Sequence, residues 1–253
     1  MEIITNFEYL LPVIFFVIAF VYSSVGLGGG SSYTAIMVIV GMSSIVVPML
    51  SLALNLVVSS IGSFNFFRNK HGSLKIIFPF LISAIPMSYI GGSLELPKEV
   101  FLWVLLGSLI VVSLRIYVWN DTGFRLNLNS NQKVLASLLV GSIIGVVSGI
   151  SGIGGGVYLV PVIIMLGIGD HKQAAATGAI FVWMVSLSGL ISRLQYNYID
   201  ISIYTPLVIS VVMGGFLGSN LGSTKLNSKQ MQSILGVVII IAIIFLINKI
   251  CIT

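Results

Sequence analysis

SGISGIGGGVYLVPVIIMLG, residues 148–167, is the stretch on which the fold turns. A glycine triplet at 154–156 interrupts an apolar run where a membrane helix would need to be strongest, although glycine weakens a helix by about 1 kcal/mol relative to alanine. The apolar piece after it, residues 157–167, is too short to cross hydrocarbon alone, which takes about 20 residues. The same arrangement occurs earlier in SSVGLGGGSSYTAIMVIVG, residues 23–41, with its triplet at 28–30 and a short apolar piece at 31–41. Both short pieces read as half-helices.

The composition around these two stretches is that of an integral membrane protein: 253 residues, 57% hydrophobic, 8% charged, with a mean hydropathy of +1.11. Long apolar segments fall at about 9–27, 45–66, 76–94, 100–119, 134–152, 173–191, 203–222 and 232–250, which predicts an all-α, multi-pass protein of the cell membrane. Glu2 and Glu8 precede the first segment in place of a basic leader, so it is expected to be a mature membrane segment. No stretch looks large enough for a separate soluble domain, and a single membrane transport domain over 1–253 is expected. The net charge of +5 comes from basic residues in short loops, where topology accounts for them and nucleic-acid binding is not indicated. The single cysteine, Cys251, can form neither an internal disulfide nor a multi-cysteine metal site.

The polar stretch NDTGFRLNLNSNQK, residues 120–133, divides the chain into a first repeat at 9–119 and a second at 134–250. At an offset of 126 residues, Gly26, Gly28, Gly29, Gly30 and Gly41 align with Gly152, Gly154, Gly155, Gly156 and Gly167. Ala53 then meets Ala179, and Ser60 meets Ser186. This identity, with the same order of long and short segments in both halves, predicts a duplication.

If each half-helix returns to its own side, Arg68, Lys70, Lys75, Arg115, Arg125, Lys133, Lys172, Lys225 and Lys229 are cytoplasmic, and Lys98, Arg193 and Lys249 are outside. Treating each glycine-broken pair as one crossing gives eight against four instead of nine against three. The hairpin arrangement, slightly favoured, makes the two repeats inverted, with both chain ends outside.

A glycine-rich break is tolerated in a membrane only where protein or a water-filled cavity surrounds it. A half-helix starting there offers free N–H groups and a positive dipole end to an anion, and glycine lets the ligand approach the backbone. The expected site therefore comprises Gly28, Gly29, Gly30, Ser31 and Ser32 of the first half, with Gly154, Gly155, Gly156, Val157 and Tyr158 of the second. Ser51, Asn55 and Thr177 are the expected side-chain donors. Ser24, Ser59, Ser60, Ser151 and Ser186 are further polar groups near the expected cavity. For each hydroxyl the alternative is a bond back to its own helix, and for the glycines it is close helix packing. Ser51 and Thr177 are equivalent under the repeat, whereas Asn55 is matched by Phe181. The seven acidic residues fall in loops or at segment ends, so no buried carboxylate is offered as a proton carrier. Asp170, His171 and Lys172 read as a solvated helix-start loop, Arg115 and Arg193 as snorkelling side chains, and Trp103, Trp119 and Trp183 as packing or interfacial anchors.

The two glycine stretches, the second extended through Pro161, Gly167 and AAATG at 174–178, resemble the twin signatures of the TauE/SafE sulfite exporter family, also called the 4-toluene sulfonate uptake permease family. The first signature departs from the second, with PMLSL at 48–52 in place of AAATG. The resemblance implies a membrane carrier for sulfur-containing anions such as sulfite, organosulfonates or related organic acids. Its partners would be a small anionic substrate and the lipid bilayer, with no cofactor, no metal and no nucleic acid; a homo-oligomer is left open. A passive anion channel shares every feature except alternating access. GISG, residues 149–152, also matches the surroundings of an intramembrane protease serine, but His71 and His171 lie in predicted loops, where neither could serve Ser151 as a base. No enzymatic activity is expected.

Overall fold

The computed structural model describes residues 2–68, 74–94, 96–118, 128–169, 171–224 and 228–252. They form α1 (Glu2–Ser24), α2 (Gly30–Ile39), α3 (Val46–Arg68), α4 (Leu74–Ser93), α5 (Lys98–Val118), α6 (Ser130–Ser151), α7 (Gly156–Met165), α8 (His171–Leu194), α9 (Thr205–Thr224) and α10 (Ser228–Ile252). A single 3-10 turn, Ile201–Tyr204, precedes α9, and no strand occurs among the described residues. The expected segments are all helical, and α2 and α7 are the two short ones, at 10 residues each. Among the described residues, α3, α4, α6, α8 and α9 are long and apolar enough to cross a membrane by length and composition.

Three helices start a turn or more earlier than expected: α1 at Glu2, α10 at Ser228 and α6 at Ser130. Residues 130–133, assigned to the linker, belong to α6, because Asn129 starts the helix and its N–H donates to Gln132 Oε1 at 3.0 Å. The rest of the linker, residues 120–127, lies outside the described residues.

Helices from the two halves are interleaved. α4 packs along α6, and α1 packs along α9. Each contact is made by glycines four residues apart, which put one helical face against a neighbouring backbone. On α6, a Cβ added to Gly141, Gly145 or Gly149 would collide with the carbonyl oxygens of Phe80, Ala84 and Ser88 in turn. On α9, Gly214, Gly218 and Gly222 meet those of Phe16, Phe20 and Ser24. Residue numbers rise together along both contacts, so each pair of helices is parallel. The close packing weighed for the triplets is thus also a property of these other glycines.

Further contacts fix the remaining directions. Ile76 lies by Gly169 just before α8, and Gly92 lies by Gly189 near its far end, so α4 and α8 run parallel; Ser88 Oγ donates to the Val185 carbonyl and Ser188 Oγ to the Ile85 carbonyl across this contact. α3 runs parallel to α9, with Val58 beside Gly215 and Asn65 bonded to Ser219. α3 and α8 are antiparallel: Leu52 lies by Gly189, Ser60 by Trp183 and Gly62 by Ala179. α7 runs back along α8, from Gly156 beside Val182 to Val160 beside Gly178. One set, α1, α3 and α9, therefore points opposite to the other, α4, α6 and α8.

Gly218→Val should destabilise the protein by about 1–3 kcal/mol, because the added carbons meet backbone that cannot move aside. Gly107→Ala has open space around its Cβ and should be neutral or slightly stabilising. Thermal melts of the two variants in detergent, run beside the wild type, provide the comparison.

Candidate functional site

The two breaks lie against each other in the middle of the bundle. The chain leaves α1 through Gly26, with φ 75°, and enters α2 through Gly29, with φ 94°. It leaves α6 through Gly152, with φ 78°, and enters α7 through Gly154 and Gly155, with φ 84° and 77°. These left-handed conformations are open to glycine at little cost and strain other residues. Gly29 and Gly155 cap α2 and α7 with no side-chain hydrogen bond, so the first N–H groups of both half-helices carry no cap from their own chain segment.

Each break rests on the crossing helix of the opposite half. Gly26 abuts the Ala175 carbonyl on α8, and Gly152 abuts Pro48 on α3. The Ile153 carbonyl lies directly against Gly30, so the start of α2 meets the loop that leads into α7. Both half-helix N-termini are thereby brought to one place.

Asn55 stands between them. It is fully buried on α3, and its Nδ2 donates to the Gly152 carbonyl at 3.2 Å. Cβ atoms added to Gly28, Gly30 and Gly154 would all run into its amide. Ser51, one turn earlier, donates to the same Gly152 carbonyl at 2.8 Å and lies 3.4 Å from that of Gly30. Seven buried side-chain oxygens on α2, α3, α6 and α8 have no partner among the described residues: Asn55 Oδ1, Tyr33 Oη, Thr177 Oγ1, Ser186 Oγ, Ser148 Oγ, Ser63 Oγ and Ser192 Oγ. Buried polar atoms are ordinarily bonded, so such a group points to a place where a ligand or water is received. Ser186 lies close to Gly154, and Tyr33 lies over Gly29.

The other expected residues divide by what their atoms already do. Ser31 and Ser32 share the hydroxyl of Tyr22, at 2.7 and 2.8 Å. Tyr158 donates to the Ser108 carbonyl at 3.1 Å and lines a separate, apolar cavity of about 470 Å³ between α5, α6 and α7, with Trp103, Ile143 and Pro161. Val157 is buried on α7. Ser24, Ser59, Ser60 and Ser151 bond back to carbonyls of their own helices, as the alternative reading holds. Tyr22 and Tyr33 belong to the crossing but had no signal in the sequence, and the match of Gly152 to Gly26 gave no sign that the Gly152 carbonyl would be an acceptor. Only the folding of α2 back toward α1 brings Tyr22 to Ser31, and only the tertiary contact singles out one carbonyl as an acceptor.

Arg193 corrects an expectation. It does not snorkel: it is 6% exposed, and its guanidinium donates to the carbonyls of Gly149, at 3.0 and 3.2 Å, and Ile150, at 2.8 Å. These carbonyls end α6 just before its break, where a cation complements the negative end of the helix dipole. Trp183 donates to Ser60 at 2.8 Å, and Trp103 is exposed on the rim of the apolar cavity. Asp170 and Trp119 lie outside the described residues, as do the side chains of His171, Lys172, Arg115 and Cys251.

Arg193→Leu should therefore cost roughly 2–3 kcal/mol, the loss of charge-assisted bonds to otherwise unpaired carbonyls. A solvated arginine would cost less than about 0.5 kcal/mol. Ser51→Ala should cost about 1 kcal/mol, since Asn55 still serves the Gly152 carbonyl. Melting temperatures of the purified variants report both.

Comparison with known proteins agrees with this architecture. Residues 11–246 match the family described as Sulfite exporter TauE/SafE. The chain is 35% identical over 236 residues to the probable membrane transporter protein y4hK of Sinorhizobium fredii (strain NBRC 101917 / NGR234), covering 92% of this chain and 95% of that one. It is 20% identical over 233 residues to the probable membrane transporter protein YjnA of Bacillus subtilis (strain 168), covering 86% and 91%. No solved structure matches it at a significant level. With nearly the whole chain matched and several apolar helices able to span a bilayer, this multi-pass membrane protein belongs to the TauE/SafE sulfite exporter family of membrane transporters.

Proposed function

We propose that the protein carries a small sulfur-containing anion, sulfite or an organosulfonate, across the membrane, binding it where the α2 and α7 N-termini meet. The observation that carries this reading is the pair of uncapped half-helix starts converging on Asn55, with unpartnered hydroxyls of Thr177, Ser186 and Tyr33 on the surrounding helices. Two positive dipole ends favour an anion, and neutral donors hold it loosely enough for release. Among the described residues Arg193 is the one buried charged side chain, and it is engaged on carbonyls. The family's name supplies the sulfur chemistry.

The architecture behind this reading is a pair of inverted repeats, α1–α5 and α6–α10, within a single membrane domain. Each half-helix enters and returns as a hairpin. The opposed directions of α1, α3 and α9 against α4, α6 and α8 support it, because a single crossing by α6 and α7 together would leave α8 antiparallel to α6. A carrier is favoured over a passive channel by an asymmetry between the halves. α10 packs along α2, whereas its counterpart α5 meets α7 less extensively, through the Tyr158 to Ser108 hydrogen bond, and leaves the apolar cavity between them. Two packings of equivalent elements are what alternating access requires. Against the protease reading, Ser151 Oγ donates to the Val147 carbonyl of its own helix at 2.7 Å.

Counterflow of labelled sulfite in proteoliposomes tests the function: a carrier should accumulate label against an unlabelled internal pool, and a channel should not. Sulfonates should compete and cations should not. Asn55→Ala should weaken binding by about 1–3 kcal/mol, the value of a hydrogen bond to a charged ligand. Transport of a cation, or indifference to every sulfur anion, removes the substrate claim. For the topology, a cysteine at Asn129 in a Cys251→Ser background should resist an impermeant reagent applied from outside. Labelling there would overturn the proposed orientation.

A further inference from the structure

The polar atoms of the crossing differ in what they can offer, and one of them is wrong for a bare anion. The half-helix N–H groups and the Thr177, Ser186 and Tyr33 hydroxyls can donate. Asn55 Oδ1 can only accept. It is fully buried, has no donor, and faces the first break, where a Cβ on Gly28 would lie 2.5 Å from it. The amide cannot be turned over to relieve this. Its Nδ2 is committed to the Gly152 carbonyl at 3.2 Å, and the reverse orientation would set two acceptors against each other. An oxyanion stripped of hydrogen presents only lone pairs to Oδ1, which adds repulsion to the cost of leaving a buried acceptor unmatched. A ligand with its own O–H group removes both penalties.

The inference rests on the anion reading above. We propose that the site selects a monoanion carrying its own hydrogen-bond donor, either the protonated form of a sulfur oxyacid or a hydroxyl-bearing sulfonate, with Asn55 Oδ1 accepting that hydrogen. For an oxyacid the proton then crosses on the substrate, and the protein needs no carboxylate to carry it. The groups facing Asn55 do not titrate: Gly28 and Gly30 from the first break, Gly152 and Gly154 from the second, and Val182 from α8. Tyr33 lies over Gly29, Tyr22 is held by Ser31 and Ser32, and Arg193 is fixed to the Gly149 and Ile150 carbonyls just before the second break. The pH dependence of binding thus belongs to the ligand.

The test is calorimetric binding to the purified full-length protein of ethanesulfonate and 2-hydroxyethanesulfonate, permanent monoanions that differ by a hydroxyl. Sulfite is titrated in parallel across the pH range in which it loses its last proton. The hydroxyl compound should bind about tenfold more tightly, the worth of one hydrogen bond at a charged ligand. Sulfite affinity should fall about tenfold per pH unit once its protonated form is the minor one, while the affinities of the two sulfonates stay level. In Asn55→Leu the preference for the hydroxyl compound should vanish. Because the main comparison uses wild-type protein, it stands even if that variant does not fold. Equal binding of the two sulfonates, or sulfite affinity rising with pH, overturns the donor requirement and leaves the anion site intact. Failure of all three anions to bind overturns the anion reading and this inference with it.

Discussion

A backbone broken inside a membrane must find its hydrogen bonds within the protein, and the rest of this structure follows from meeting that demand twice in one place. α3 does most of the work from one helical face. Ser51 and Asn55, four residues apart, both donate to the Gly152 carbonyl at the exit of α6, and the Asn55 amide also fills the space beside Gly28 and Gly30 at the entry to α2. Arg193 answers the same demand on the other side, taking the last carbonyls of α6. These bonds satisfy the carbonyls at the end of α6, while α2 and α7 start without a side-chain cap.

The breaks could not meet if each half folded on itself. α1 packs along α9 and α4 along α6, each through glycines that bring one backbone against another. In hydrocarbon, with little hydrophobic force between helices, such close approach supplies the van der Waals contact that holds them. The exchange ties the halves into one body and sets each glycine break on the crossing helix of the opposite half, Gly26 on α8 and Gly152 on α3. The correspondence ends at the periphery, where α10 packs along α2 while α5 meets α7 less closely, leaving an apolar cavity beside the Tyr158 to Ser108 bond.

The departures from internal repetition are chemical as well as geometric. Asn55 has Phe181 as its counterpart, and that ring lies against Gly155. One face of the crossing is therefore an amide and the other an aromatic ring. Arg193, at the position matching Phe67, places a cation behind the second break.

What the sequence determined by itself was the membrane class, the ten helical segments with two short ones, and the glycine breaks. Hydropathy, helix length and glycine conformation are local properties, readable from neighbours along the chain. It also singled out Ser51, Asn55 and Thr177 as buried polar residues in apolar runs, which is costly enough to attract notice. Only the tertiary structure decided what they touch. Ser51 and Asn55 reach across about one hundred positions to Gly152, Ser31 and Ser32 are taken by Tyr22, and Ser59 and Ser60 bond within α3. Hydropathy gives Ser51 and Ser59 the same appearance, because it records that a hydroxyl is present and not which carbonyl lies nearest. Arg193 shows the limit most plainly. A cation near a segment end reads as solvated until the α6 terminus is placed beside it, and that placement depends on glycines of α6 seated against α4, far from Arg193 in the chain.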